Sequence, residues 1–219
     1  FRIYKKPKVM LKYFNFEEFD CPTLEGSGLP TSDGGKMSID FLHKLDEARE
    51  LAGVPFKITS GYRSPQHNLD VGGRVGSSHL KGLAVDISCD NSGHRQKILT
   101  ALIKVGFKRI GIAKSFIHTD LDNEKPNAIL HYTDPRFWGW LYNMEHELRQ
   151  KIPIYYYNIW DDLPDPYYNR DYYESCDWLG CISKQTYGIV NRVGMSNREV
   201  THKPLKKWQV SYVPHGINP

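Results

Sequence analysis

The 219-residue sequence contains only four cysteines, and no two of them form a Cys-x-x-Cys pair. Cys21, Cys89, Cys176 and Cys181 are therefore expected to be reduced, buried thiols, because their spacing fits neither a disulfide framework nor a cysteine metal site. No segment reaches the ~18 consecutive apolar residues of a membrane-spanning helix. The first residues also lack the apolar region of a secretory signal. We expect a chain made in the cytoplasm, without a membrane span.

The sequence also lacks a strong net charge of either sign. The 29 Lys and Arg residues against 25 Asp and Glu residues give a net charge of +4, and the basic residues form no long run. Nucleic-acid binding therefore has little support, because a phosphate backbone is tracked by clustered Lys and Arg. The 40% of hydrophobic and 25% of charged residues are typical of a globular protein of one or two domains.

The segment 78–87 carries the residue types of half a zinc site. From residue 83 onward aliphatic side chains alternate with Ala84 and Asp86, which predicts a half-buried strand with Asp86 on the face away from the aliphatic residues. His79 lies at an odd offset from Asp86, so a straight strand would separate them. Gly82 can turn the chain and bring both side chains to one metal ion.

A second segment, 116–120, supplies the other half. His118 and Asp120 share one face of this predicted strand, while Ile117 lies on the other. Two imidazoles and one carboxylate, from His79, Asp86 and His118, make three protein ligands. Three ligands leave a tetrahedral position for water, which is the arrangement of catalytic zinc.

Arg63 is the candidate for substrate binding. It follows a predicted strand at the start of a loop marked by Gly61 and Pro65. Its planar guanidinium could hold a carboxylate, such as the terminal carboxylate of a peptide. It could equally cap the loop or pair with Asp70.

Three motifs now stand in order along the chain: S-G-Y-R-S-x-x-x-N, S-x-H-x-x-G-x-A-x-D-I and F-I-H-x-D. Together they resemble the zinc D-alanyl-D-alanine carboxypeptidase family, which includes phage endolysin peptidases and shares its fold with hedgehog signalling domains. The resemblance covers about residues 14–132. It implies an α+β domain, with an antiparallel sheet and flanking helices.

The resemblance also implies zinc held by His79, Asp86 and His118, with a peptidoglycan stem peptide as substrate. Arg63 would hold the substrate carboxylate, and we place Ser78 beside it as a second substrate-binding residue. Water activated by the metal would attack the scissile bond. The site of action would be the cell wall of a bacterium, or of a phage host. Carboxypeptidase and endopeptidase activities both stay open.

One feature departs from the family pattern. Relatives commonly carry Glu or Asp shortly before the last histidine as general base, but no carboxylate occurs between His94 and His118, and Ser115 stands three residues before His118. Asp120 is the best substitute, because it shares a strand face with His118 and could accept a proton from water near the metal. Alternatively, Asp120 only orients His118 or Arg63. A second hypothesis for the whole domain, supported by the missing acid, is a non-catalytic zinc-containing binding module.

Two amphipathic helices are predicted in the peptidase-like segment. The first covers 38–52 with an apolar face of Ile39, Leu42, Leu45, Ala48 and Leu51, and begins at Ser38. The second covers 94–105 and is expected to pack on the sheet that carries the ligands.

The tail, 133–219, is predicted to be a separate α/β segment after a zinc peptidase domain at 1–132. Helices are predicted at 135–150, 167–174 and 184–193, and strands at 152–157, 178–183 and 210–213, an order typical of a parallel layer. The motifs I-P-I-Y-Y-Y-N-I-W-D and Y-V-P-H-G-I-N resemble part of the N-terminal lobe of a GT-B glycosyltransferase. The third hypothesis is therefore a glycosyltransferase fragment or fusion.

Overall fold

A computed structural model describes residues 10–30, 36–132, 134–195 and 204–214. Among these residues no helix has the length and apolar character needed to cross a membrane. The elements, in chain order, are α1 (Ile39–Ala52), β1 (Lys57–Ser60), α2 (Pro65–Asp70), β2 (Ala84–Ser88), α3 (Ser92–Lys104), β3 (Arg109–Ile112), β4 (Phe116–Asp120), β5 (Ala128–Tyr132), α4 (Gly139–Tyr142), α5 (Glu145–Leu148), β6 (Ile154–Asn158), α6 (Arg170–Glu174), β7 (Trp178–Cys181), α7 (Lys184–Gly194) and β8 (Val210–Tyr212).

The chain forms two compact units of mixed α and β structure. The first unit contains Phe1–Phe107 and Ser115–Glu124, and the second contains Lys108–Lys114 and Lys125–Pro219. Strand β3 therefore belongs to the second unit, although it lies between two segments of the first. That separate functions belong to 1–132 and 133–219 stays a prediction.

The first unit contains an antiparallel sheet in the order β1, β2, β4. Asp86 on β2 lies directly opposite His118 on β4. Because side chains of directly opposed residues project to the same face of a sheet, this register places the two predicted ligands side by side. The antiparallel sheet with flanking helices agrees with the predicted α+β class.

Helix α1 begins and ends as the sequence predicts, with the Ser38 side chain accepting a hydrogen bond from the Phe41 amide and Gly53 in the left-handed conformation. The predicted apolar face is wrong at both ends, because Ile39 and Leu51 are exposed. Phe41, Leu42, Leu45, Ala48 and Ala52 form the buried face instead. Phe41 and Ala52 are buried in the first and last turns, so Ile39 and Leu51 are exposed because they lie off the buried face of the helix.

Two further local predictions need correction. Helix α3 begins earlier than predicted, because the Asn91 side chain accepts a hydrogen bond from the His94 amide and so caps the helix at Ser92. It packs against α1. The segment after Arg63, predicted as a loop, contains the short helix α2, which the Ser64 side chain caps.

The second unit contains a parallel sheet in the order β3, β5, β6, β7, β8. This confirms the predicted parallel α/β layer. The single helix predicted at 135–150 is wrong, because the segment forms a 3-10 helix at Pro135–Trp138 followed by α4 and α5. Trp138 and Met144 leave the helical conformation and interrupt it. The last residues of the Y-V-P-H-G-I-N motif, 215–218, lie outside the described residues.

His131 on β5 is a buried polar residue in the core of the second unit. It is fully buried, its ring stacks on Tyr156 at 4.6 Å between centroids, and its Nε2 shares a hydrogen bond of 2.7 Å with the Tyr142 hydroxyl. Its Nδ1 has no hydrogen-bond partner in the part of the chain described here. Burial lowers the pKa of His131 to about 3, because a charged imidazole loses hydration that the core does not replace.

We expect the second unit to lose stability in acid through His131. Its pKa rises from about 3 in the fold towards the ordinary 6.5 on unfolding, so between these values the unfolded chain binds more protons and stability falls as pH falls. The slope is at most about 1.4 kcal/mol per pH unit. The measurement is urea unfolding between pH 4.5 and 7.5, followed by tryptophan fluorescence, because all five tryptophans lie in the second unit.

His131→Phe keeps an aromatic ring on Tyr156. It should lower the slope of stability against pH by up to about 1.4 kcal/mol per pH unit, which is the contribution of one proton. His146→Gln is the control, since the His146 side chain is 97% exposed, and it should leave the slope unchanged. Equal slopes in wild-type protein and His131→Phe would contradict the assignment.

Gly82 is required by the fold of the first unit. Its φ is +64°, and a Cβ there would lie 1.9 Å from the Lys36 carbonyl oxygen. We expect Gly82→Ala to lower the free energy of unfolding by at least about 3 kcal/mol, from left-handed strain plus steric overlap. Gly53, with φ +62° and nothing within 4 Å of a built Cβ, is the matched control, and Gly53→Ala should cost only about 1 kcal/mol. Hydrogen exchange of the α1 amides measures the free energy of unfolding of both variants. Similar losses of stability in the two variants would refute the steric explanation.

Candidate metal centre

Strands β2 and β4 bring two of the predicted ligands into direct contact. His118 Nδ1 lies 2.8 Å from Asp86 Oδ1. The position of each side chain follows from the alternation along its strand, which turns Val85, Ile87 and Ile117 into the core. The opposite face of the sheet therefore carries Asp86 and His118.

His79 reaches the same point from a 3-10 helix, Ser78–Lys81, that ends at Gly82. Gly82 adopts the left-handed conformation, which is the turn that the parity of the sequence predicts. His79 is buried, and its Nε2 lies 3.5 Å from Asp86 Oδ1. Its Nδ1 lies 2.7 Å from the Gly61 carbonyl oxygen, so this nitrogen carries the proton and Nε2 keeps its lone pair for a ligand.

The three residues fit a zinc ion. One ligand atom from each of His79, Asp86 and His118 lies within 4.8 Å of the other two. Ligands about 2.0–2.1 Å from a tetrahedral zinc lie roughly 3.3 Å apart, close to the 2.8 and 3.5 Å measured from Asp86 Oδ1 to the two imidazoles. Two imidazole nitrogens and one carboxylate are also the donor types of catalytic zinc sites.

Each imidazole is oriented through its other nitrogen. His118 Nε2 lies 3.1 Å from Asp120 Oδ2, and Asp120 is buried. Hydrogen bonding of a histidine to a carboxylate or carbonyl on the side away from the metal fixes its ring and tautomer. The geometry therefore gives Asp120 the orienting contact to His118 that the sequence left as an alternative.

The same contacts shift the pKa values of the site. Burial alone would raise the pKa of Asp86, but hydrogen bonds from His118 and His79 outweigh it and hold this pKa well below its ordinary value. Burial alone would lower the pKa of His118, but the carboxylates of Asp120 and Asp86 raise it. Asp86 is therefore an anion at neutral pH, as a ligand for a divalent cation must be.

Arg63 contacts the site through Asp86. Its Nη2 donates to Asp86 Oδ2 at 2.7 Å, and its Nε donates to Ser60 Oγ at 2.8 Å. Asp70 instead accepts a hydrogen bond from Gln66, so Arg63 makes the pair with Asp86 rather than with Asp70. The role of Arg63 in substrate binding stays a prediction.

Ser78 and two residues that the sequence analysis missed form a cluster beside the ligands. The Ser78 hydroxyl donates to Asp122 Oδ2 at 3.0 Å, and Lys81 Nζ lies 3.1 Å from both Asp122 carboxylate oxygens. Ser78 is buried in this contact, which the expected substrate-binding role did not anticipate. The signal available in the sequence was the alternation of Asp120 and Asp122, which places both acids on the face of His118.

A family model of peptidase M15 matches residues 12–122, just over half of the chain. The chain belongs to the peptidase M15 family. Peptidases of this family depend on zinc, so the match and the convergence of His79, Asp86 and His118 agree. The matched segment contains all three residues and ends close to Glu124, where the first unit ends. No curated protein matches the chain, and the resemblance of the tail to a glycosyltransferase lobe has no support beyond its motifs.

We expect the purified chain to bind one zinc ion and His79→Ala to lose it, because two remaining protein ligands do not hold zinc tightly. Inductively coupled plasma mass spectrometry after dialysis measures the content. His94→Ala is the matched control, since the His94 side chain is exposed at the start of α3 and should leave one zinc per chain. Retention of zinc by His79→Ala would remove His79 from the ligand set.

Proposed function

We propose that the chain is a zinc metallopeptidase that hydrolyses peptide bonds in peptidoglycan stem peptides. The observation that carries this proposal is the meeting of His79, Asp86 and His118 within the segment that matches the peptidase family. The three side chains would hold zinc. When bound, zinc would polarise a carbonyl and lower the pKa of a water molecule to about 7.

Asp120 is the proposed general base, and it also orients His118. Its Oδ2 faces His118 Nε2, and its Oδ1 accepts a hydrogen bond from the Asp122 amide at 3.0 Å. A buried carboxylate this close to the ligand cluster could take up a proton from water beside the site. The absence of any acid between His94 and His118 favours this choice.

Arg63 is the proposed contact for the substrate carboxylate. Its guanidinium carries a full positive charge beside Asp86, and its Nη1 makes no hydrogen bond to any described residue. A peptide carboxylate could pair with this nitrogen while Nη2 keeps its contact with Asp86. The proposal includes a stem peptide with a free carboxylate near the scissile bond, and both carboxypeptidase and endopeptidase products fit it.

A second candidate is a non-catalytic zinc-containing binding module. Two observations favour it: the acid expected before His118 is missing, and Asp120 is already engaged by His118 and by the Asp122 amide. In such a module the metal would stabilise the fold, and Arg63 would bind an anionic partner. The glycosyltransferase hypothesis for 133–219 has no observation of comparable weight.

We expect the wild-type protein to release D-alanine or shorter peptides from purified muropeptides, detected by mass spectrometry. Asp120→Asn should keep about one zinc per chain and lower kcat by about 100-fold or more, because general-base catalysis contributes about 10²–10⁴. His118→Ala should lose both zinc and turnover.

His67→Ala provides the control, since His67 lies on α2 outside the ligand cluster, and it should keep both zinc and turnover. A wild-type protein that holds zinc yet cleaves no muropeptide would select the binding module. Asp120→Asn with unchanged kcat would leave Asp120 as an orienting residue only.

A further inference from the structure

We infer that Asp122 is a positioning residue that holds the two ligand-bearing segments of the metal centre in register with each other. The inference rests on the proposed metal site and concerns a residue outside the ligand set. Asp122 is 2% exposed, and a carboxylate this deeply buried is stable only when it is paired and hydrogen-bonded. The groups that contact Asp122 indicate its role in the site.

The side chain of Asp122 binds both ends of the turn that carries His79. Ser78 and Lys81 are the first and last residues of this 3-10 helix. Ser78 Oγ donates to Asp122 Oδ2 at 3.0 Å, and Lys81 Nζ lies 3.1 Å from each oxygen of the carboxylate. One acid therefore fixes the turn at two points on either side of the ligand.

The backbone of Asp122 acts on the other segment. Its amide donates to Asp120 Oδ1 at 3.0 Å, and Asp120 Oδ2 contacts His118 Nε2 at 3.1 Å. The hydrogen-bonded path thus runs from the His79 turn through Asp122 and Asp120 to the His118 ring. It lies wholly within the first unit.

This path fixes the position of the His79 imidazole relative to the His118 imidazole. His79 and His118 stand on different elements, and their rings lie 5.2 Å apart between centroids. A tetrahedral ion tolerates only small errors in the positions of its ligands. Loosening the turn that carries His79 would therefore weaken zinc binding without removing any ligand. In metal sites generally, the loss of a hydrogen bond that orients a ligand lowers metal affinity by about 10–100-fold.

The test compares Asp122→Asn with Glu124→Gln. Both remove one negative charge beside Lys81, but the Glu124 side chain is 82% exposed and, among the described residues, pairs with Lys81 alone, with Nζ to Oε2 at 2.6 Å. The Glu124 amide, which donates to Asp122 Oδ1 at 3.3 Å, is retained in Glu124→Gln. Asp122→Asn should weaken zinc affinity, measured by competition with a chromophoric chelator, by about 10-fold or more. Glu124→Gln should change it by at most about fivefold.

A second readout separates positioning from general stability. In the metal-free protein, the ¹⁵N resonances of the His79 and His118 imidazoles should shift or broaden in Asp122→Asn and stay unchanged in Glu124→Gln. Should Asp122→Asn fail to fold, Ser78→Ala removes one of the same contacts and should give a smaller change in the same direction. A loss of thermal stability with unaltered zinc affinity and unaltered imidazole signals would overturn the inference.

These measurements also distinguish the inference from the proposed function. A wild-type chain that binds zinc but hydrolyses no peptide would reject the peptidase while the affinity comparison still decides the role of Asp122. A wild-type chain that binds no zinc would reject the metal centre, and the imidazole signals of the metal-free protein would then decide whether Asp122 positions the two histidines.

Discussion

The candidate site depends on the pairing of β2 with β4 in one register. Asp86 and His118 are useful only because they stand directly opposite each other. A shift of one residue would turn one of them into the core and an aliphatic side chain into the site. The buried aliphatic residues Val85, Ile87 and Ile117 prevent this shift, because each would have to leave the core. The hydrophobic effect that folds the first unit thus also fixes the geometry of its chemistry.

Around this pair, three polar contacts orient the candidate ligands. Gly61 orients His79, Asp120 orients His118, and Arg63 holds the second oxygen of Asp86. Each of the three candidate ligands is therefore fixed by a hydrogen bond from one side, and each offers one ligand atom to the other two within 4.8 Å. Such preorganisation lowers the cost of ordering the ligands when a cation binds.

Much of this arrangement could be predicted from the sequence, because it follows from local rules. Alternation along a strand predicted the faces of Asp86, His118 and Asp120, and the need for a turn between His79 and Asp86 identified Gly82. The contacts of Asp122 could not be predicted, since they depend on how the turn with Ser78 packs against the end of β4. The buried face of α1 was only partly predicted, because several apolar residues lie beside that face and periodicity alone does not show that Phe41 and Ala52 pack into the core while Ile39 and Leu51 do not.

The second unit shows the same division between local and tertiary information. The parallel order of its strands followed from the succession of elements, whereas the break of 135–150 into three short helices did not, since it depends on the conformations of Trp138 and Met144. The lowered pKa of His131 is likewise a product of the core and has no signature in the sequence around it.

The placement of β3 has a consequence for how the two units are joined. Residues 108–114 leave the first unit, contribute a strand that pairs in parallel with β5, and return before β4 begins. Two finished domains joined end to end would each use one continuous stretch of chain. Here the polypeptide passes between the units three times, so a cut after Glu124 would separate β3 from β5, the strand with which it pairs in parallel. The two units are interleaved along the chain, and neither can be excised with a single cut.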